Sequence, residues 1–188
     1  MTEPSQQTIR KDVSLAGTGV HSGESATITL RPGNVNTGIR FRRLDLDGCP
    51  EIPATLSHVV GTELGTSLAN GDAQVNTVEH VMAALAAAQV DNAIIDLDGP
   101  EVPIRDGSFQ DYVHALRDVG FKSQEVKPKV VRVKTKVTTT GGDGQSYSAT
   151  MNRGLTVVAS IDFEHSAIGR QSGEFSIDSE SFETELAS

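Results

Sequence analysis

From Asn76 to Gln89 the chain carries apolar residues at helical spacing, Val78, Val81, Met82 and Leu85, while Ala83, Ala84, Ala86 and Ala87 line the opposite side. A helix that is apolar on one face and small on the other cannot lie alone on a surface. It must be packed on both sides, so whatever surrounds it in the sequence has to supply layers. Residues 8 to 70 supply strands. Ala26-Thr27-Ile28-Thr29-Leu30 alternates apolar and polar until Arg31-Pro32-Gly33-Asn34 breaks it. The Gly-rich run Gly17 to Gly23 joins the first two strands. Asn92 to Leu97 is an apolar run of strand length, and Ser108 to Gly120 predicts a second helix with Phe109, Tyr112, Val113 and Leu116 on one stripe and Gly120 as its stop.

The fold class expected is α+β: residues 1–124 form a two-layer sheet-and-helix sandwich, and residues 125–188 start a second, incomplete α+β domain of similar type. The charged, Pro-containing stretch Lys122 to Lys129 reads as the linker between them. Strands are expected to return at Val130 to Thr138, Tyr147 to Thr150 and Leu155 to Phe163. Gly141-Gly142-Asp143-Gly144 marks a hairpin turn between the first two. Phe175 to Ile177 adds a further short strand before a helical start at Ser179 to Ser188.

Bulk properties narrow the function. A net charge of −9 repels a phosphate backbone, and 4% aromatics without Trp leave no stacking platform, so nucleic acid is not an expected partner. Cys49 is the single cysteine, which permits no internal disulfide and favours a reducing compartment, the cytoplasm. Met1 to Lys11 contains no apolar leader core, and no run approaches the ~18 apolar residues of a membrane span, so membrane contact is at most peripheral.

Three segments could carry chemistry. Asn76-Thr77-Val78-Glu79-His80 sets a carboxylate and an imidazole side by side at a helix start, off the apolar stripe. A helix start disfavours the imidazolium, leaving a neutral nitrogen for a metal such as zinc, and a neighbouring glutamate can take a proton from metal-bound water. The plainer reading is a capping box, with Glu79 three residues after Asn76 satisfying a free backbone amide. One histidine is not a zinc site, and His21, His58, His114 and His165 show no ligand-like spacing to His80. The second segment, Pro100 to Ser108, places carboxylates between a strand end and a helix start. Asp106 is its candidate, against a plainer role in turn and capping chemistry. In the third, Ile161-Asp162-Phe163-Glu164-His165, Phe163 is either core or an exposed aromatic beside charges.

Gly19-Val20-His21-Ser22-Gly23, Thr77-Val78-Glu79-His80 with its Ala-rich helix, Asp91-Asn92, Pro100 to Ser108 and Ile161 to His165 occur together in this order. In this the chain resembles the UDP-3-O-acyl-N-acetylglucosamine deacetylases over nearly its whole length. The resemblance implies a cytoplasmic, zinc-dependent hydrolase of lipid A biosynthesis. Its substrate is a UDP-sugar that carries a 3-O-acyl chain and loses its N-acetyl group between two α+β domains.

By position, Glu79 is similar to the family's general base and His80 to its first zinc ligand. Asp106 is similar to a carboxylate that orients a metal-bound group. Leu64 to Ser67, with Thr62 at its start, resembles the strand edge that runs past the substrate near the metal, Phe163 the aromatic on the uracil, and His21 the histidine near the site in the first loop. Local departures are Asn76 where Ser is frequent, Gly65 at a position more usually larger, and Ser166 in place of Pro. In the family an Arg-Thr-Phe-Gly loop, an acyl-passage insert, a His-Lys-x-x-Asp motif with two further zinc ligands and a late histidine acid follow this portion. The resemblance therefore implies an amino-terminal portion, inactive by itself. The alternative is a non-catalytic nucleotide-sugar-binding or interaction module derived from the same family.

Overall fold

The computed structural model describes residues 5–142 and 144–188. The chain divides into two compact units, residues 1–128 with 182–188, and residues 129–181.

In the first unit the elements run β1 (Gln6–Ile9), β2 (Val13–Thr18), β3 (Ser25–Pro32), β4 (Ile39–Arg43), β5 (Glu51–Pro53), β6 (Val59–Gly61), β7 (Ser67–Asn70), β8 (Ala73–Val75), α1 (Glu79–Ala87), β9 (Ala93–Leu97), α2 (Gln110–Val119) and β10 (Phe121–Gln124). A five-stranded sheet of order β2-β3-β9-β4-β5 is antiparallel except where β4 lies parallel to β9. The class is α+β. Period-two alternation puts Ala26, Ile28 and Leu30 of β3, Phe41 of β4 and Ala93, Ile95 and Leu97 of β9 into the core. The alternate positions form a charged layer, in which the buried Asp96 accepts from Arg42 (Nε, 2.6 Å) and Arg31 (Nε, 2.6 Å). Burial alone would raise the Asp96 pKa, but these hydrogen bonds outweigh it and hold the carboxyl below its ordinary range.

Val78, Val81, Ala84 and Leu85 are buried with the sheet residues in one cluster that also takes Tyr112 and Leu116 from α2. The expected packing on both sides of α1 is met only in part: of the alanines opposite the stripe Ala84 is buried, Ala83 and Ala87 are half-buried and Ala86 is exposed. α2 ends as expected at Gly120, whose φ of 68° a side-chain-bearing residue adopts only under strain. Three expectations fail within this unit. β3 continues through Arg31 and Pro32, because a proline at the last strand position forfeits little pairing. The α1 helix begins at Glu79, three residues later than the pattern, because Thr77 has φ 57° and is not helical. Lys122 to Gln124 belongs to a strand paired with β1, where Gln124 bonds Asn92 Nδ2 (2.8 Å) and the Gly33 carbonyl (2.8 Å). Those buried amide contacts outweigh the linker-like composition.

The last residues return to the first unit. Ser179–Ser181 is followed by a wide helical turn, Phe182–Leu186; Phe182 and Ala187 are buried, and the Phe109 amide donates to the Ala187 carbonyl (3.0 Å).

The second unit holds two antiparallel hairpins. One pairs β11 (Val137–Thr140) with β12 (Ser146–Ala149), and the other pairs β13 (Leu155–Asp162) with β14 (Arg170–Ile177). The first hairpin turns where expected, although Asp143 lies outside the described residues. Val130 to Lys136 do not form the expected strand. Among the described residues nothing pairs with them, and an unpaired strand leaves its backbone groups to water. β14 is longer than Phe175 to Ile177 because its whole length has a partner in β13.

Candidate active site

The start of α1 is set by a chain of long-range bonds. Val75 ends β8, Thr77 takes its left-handed turn, and Glu79 opens the helix. A β-branched residue at positive φ is strained, and such strain persists where the surroundings hold it. Here the buried Thr77 hydroxyl donates to Glu101 Oε1 (2.8 Å). The carboxylate of Glu101, only 2% exposed, also accepts from the amides of His21 (3.1 Å) and Ser22 (2.7 Å). Gly19 leaves room for this carboxylate, since a Cβ there would overlap the Glu101 carboxylate and the Ser22 hydroxyl and push them from their present places.

His21 is thereby brought to Leu64, whose carbonyl lies 3.2 Å from His21 Nε2. Leu64 has φ 60° and is 88% exposed, with Thr62 exposed two residues earlier. A Cβ built on Gly65 would lie 3.3 Å from Glu79 Oε1 and 3.7 Å from His21 Nε2, so both groups face one point beside that glycine. The Glu79 carboxylate is held by Oε2, which accepts from the Thr66 amide (2.8 Å). Among the described residues Oε1 has no hydrogen-bond partner.

The capping-box reading fails. No side chain caps α1; Glu79 bonds across to Thr66, and Asn76 Oδ1 accepts from Ser67 Oγ (2.8 Å) and Gln74 Nε2 (2.7 Å). With Thr77 left-handed, Asn76 cannot occupy the capping position.

His80 packs its ring on Phe109 (centroids 5.1 Å), which in turn meets Phe182 (5.4 Å). Its Nδ1 is buried without a partner among the described residues. A buried ring nitrogen with no bond is suited to one metal ligand. A catalytic zinc usually takes three protein ligands, however, and no group of three or more His, Cys, Asp or Glu converges among the described residues. The residues described here therefore fit one corner of a zinc site and not the whole.

Asp106 is exposed, and its Oδ1 accepts from the Ser108 amide (2.9 Å) and hydroxyl (2.7 Å), which lowers its pKa. It shapes the turn that delivers Phe109 to His80 and has no described contact with Glu79 or His80. Phe163 belongs to the second unit, where it is 54% exposed and not core.

Glu101 escaped the sequence reading, which took Asp106 from the same segment. The available signal was a carboxylate enclosed by Pro100, Val102 and Pro103, an apolar setting in which an ion needs several donors. Burial opposes its ionisation, but bonds from Ser22, His21 and Thr77 prevail and bring its pKa from 4.5 to about 2. A depressed carboxyl stabilises the fold fully above its unfolded pKa, and that contribution disappears as pH falls through the folded value. Urea unfolding followed from pH 6 to pH 2 should therefore show stability falling between about 4.5 and about 2, with Glu101→Gln flattening this segment of the curve.

An open carboxylate oxygen facing an imidazole, followed in the chain by a second imidazole with a spare nitrogen, is the set of groups that metal-assisted hydrolases employ. The chain belongs to the LpxC family, described as UDP-3-O-acyl N-acetylglycosamine deacetylase, whose pattern it matches over residues 6–188. It is 39% identical over 173 residues to the UDP-3-O-acyl-N-acetylglucosamine deacetylase of Pseudomonas entomophila (strain L48), covering 92% of this chain and 57% of that protein. Proteins of the same name from Geobacter sp. (strain M21) and Idiomarina loihiensis (strain ATCC BAA-735 / DSM 15497 / L2-TR) are 40% and 41% identical. The matches cover 94% and 92% of this chain and 58% and 56% of those proteins. The chain thus spans little more than half the length of these relatives.

Proposed function

We propose that this chain supplies the base and one zinc ligand of a UDP-3-O-acyl-N-acetylglucosamine deacetylase acting in lipid A biosynthesis in the cytoplasm. The observation that carries the reading is the Glu79 carboxylate, fixed through Oε2 to Thr66 and open at Oε1 on the side where His21 faces Gly65. A carboxylate held in this way keeps a lone pair directed at a reacting water. Oε1 accepts the proton as water adds to the acetyl carbonyl, and returns it to the amine nitrogen as the carbon–nitrogen bond breaks and acetate leaves. In this reading the exposed edge Thr62 to Leu64 guides the UDP-sugar, and the exposed ring of Phe163 stacks on the uracil. Asp106 acts through Phe109, whose ring holds His80 in place. His80 would hold a zinc ion through a ring nitrogen, and the metal when bound would polarise the acetyl carbonyl and lower the pKa of the attacking water. Residues 1–124 serve as a two-layer sandwich and 125–188 as the beginning of a second domain, except that 182–188 pack with the first unit.

A second reading, a non-catalytic nucleotide-sugar-binding or interaction module, is favoured by the exposed Leu155, Val158 and Ile161 of the second unit. No helix among the described residues is long and apolar enough to cross a membrane.

Acetate release from the UDP-sugar separates the two. It is measured for these 188 residues alone and for the same residues joined to the remainder of the Pseudomonas entomophila relative. The expected result is weak zinc binding and no turnover for the chain alone, and zinc-dependent turnover for the chimera. His80→Ala should cut zinc affinity of the chimera by roughly 10- to 100-fold or more. A chimera that binds zinc stoichiometrically and releases no acetate would favour the interaction module.

A further inference from the structure

Glu101 has no place in the proton transfers above, yet two separate parts of the site end on its carboxylate through three donors. Oε1 takes the Thr77 hydroxyl (2.8 Å) and the His21 amide (3.1 Å), and Oε2 takes the Ser22 amide (2.7 Å). These bonds tie the loop after β2 to the residue two places before Glu79. We propose that Glu101 is a positioning residue that sets the spacing between the His21 imidazole and the Glu79 carboxylate.

The geometry gives such a group a task beside the backbone bonds that flank Thr77, from Asn76 to Pro100 and Val102 and from Val78 to Thr66. Thr77 is held at φ 57°, a conformation that a β-branched residue leaves unless something opposes its release. If Thr77 relaxed, the start of α1 would rotate, and Glu79 Oε2 would part from the Thr66 amide, 2.8 Å away. Among the described residues the tip of the His21 loop has no strand partner; its backbone is held by the Gly19 to Glu24 and Gly23 to Gly19 bonds, the His21 ring meets the Leu64 carbonyl, and the amides at 21 and 22 donate to Glu101. One buried carboxylate therefore opposes two independent motions, and both end at Gly65, where Glu79 Oε1 and His21 Nε2 face the same point. A neutral amide replaces it only in part. Gln at 101 keeps one acceptor oxygen for the His21 and Ser22 amides and can turn its NH2 only to the Thr77 hydroxyl, and the charge that strengthens all three bonds is lost.

The proposal rests on the reading of Glu79 and His21 as site residues, but its test needs neither zinc nor turnover. Amide hydrogen exchange is recorded on the full chain. In Glu101→Gln, exchange at His21 and Ser22 should accelerate roughly 10- to 100-fold, the loss expected for hydrogen bonds to a charged acceptor. Exchange at Thr66, the reporter of the Glu79 carboxylate, should accelerate with them and by more than Ile28 and Ile95 in the sheet, which report only the change in global stability.

Thr77→Val keeps the branched shape and removes the donor; it should loosen Thr66 and leave His21 and Ser22 protected. Thr77→Ser keeps the hydroxyl and should match the parent. Two results overturn the proposal: Thr66 protection unchanged in Glu101→Gln, or an equal rise at Ile28 and Ile95, which would make Glu101 a general stabiliser. Should Glu101→Gln fail to fold, an unchanged Thr66 in Thr77→Val overturns it as well. A chimera inactive in acetate release, by contrast, would sink the deacetylase reading without touching these exchange rates.

Discussion

Glu79→Gln in the chimera is expected to lower kcat by about 10²- to 10⁴-fold, the usual contribution of a positioned general base, with little change in KM and an unchanged zinc content. The amide is nearly isosteric. Its oxygen can still accept from the Thr66 amide as Glu79 Oε2 does at 2.8 Å, so the start of α1 should keep its place. What disappears is the proton affinity of the second oxygen, the one beside Gly65. His80 is untouched, so metal content acts as the internal control: loss of turnover with loss of zinc would point to a collapsed site and not to a missing base. Retention of full kcat in Glu79→Gln would remove Glu79 from the proton transfer.

Leu85→Ala should destabilise the first unit by about 3 kcal/mol, within the 2–5 kcal/mol range of buried Leu truncations. Leu85 is 1% exposed and packs in the same cluster as Val81, Ile95 and Leu116, so its removal leaves a cavity between α1 and the rest of the core. For a unit of this size each kcal/mol lowers the melting temperature by roughly 2–4 °C, giving a drop of roughly 6–12 °C by calorimetry. Ala86→Gln, on the exposed side of the same helix, should stay within about 0.5 kcal/mol of the parent. Because α1 also carries Glu79 and His80, Leu85→Ala should reduce the folded fraction at elevated temperature while sparing kcat per folded molecule at low temperature. A melting temperature unchanged in Leu85→Ala would mean that α1 is not seated in this core.

Much of this molecule was legible locally. The 3.6-residue and two-residue periods located α1, α2, β3 and β9, since burial of one face is written into spacing along the chain. Gly120 marked the end of α2 because only the backbone conformation of that single residue decides it. Five ordered segments, Glu79-His80 among them, marked the family. Composition misled at Lys122 to Gln124, where charge and polarity indicated a linker and buried amide partners made a strand. It misled again at Asn76, where a correctly spaced pair of capping residues was separated by the turn at Thr77.

By itself, then, the sequence determined where α1, α2, β3 and β9 lie, that the chain is α+β, and which family it joins. Each of these follows from patterns within a few residues or from their order. Only the tertiary structure decided that His21 and Glu79 face one point, that Glu101 rather than Asp106 is the buried carboxylate of its segment, and that Phe182 and Ala187 pack back on the first unit. The bonds responsible join residues as much as 80 apart. Such contacts depend on how layers stack, and no local period encodes that.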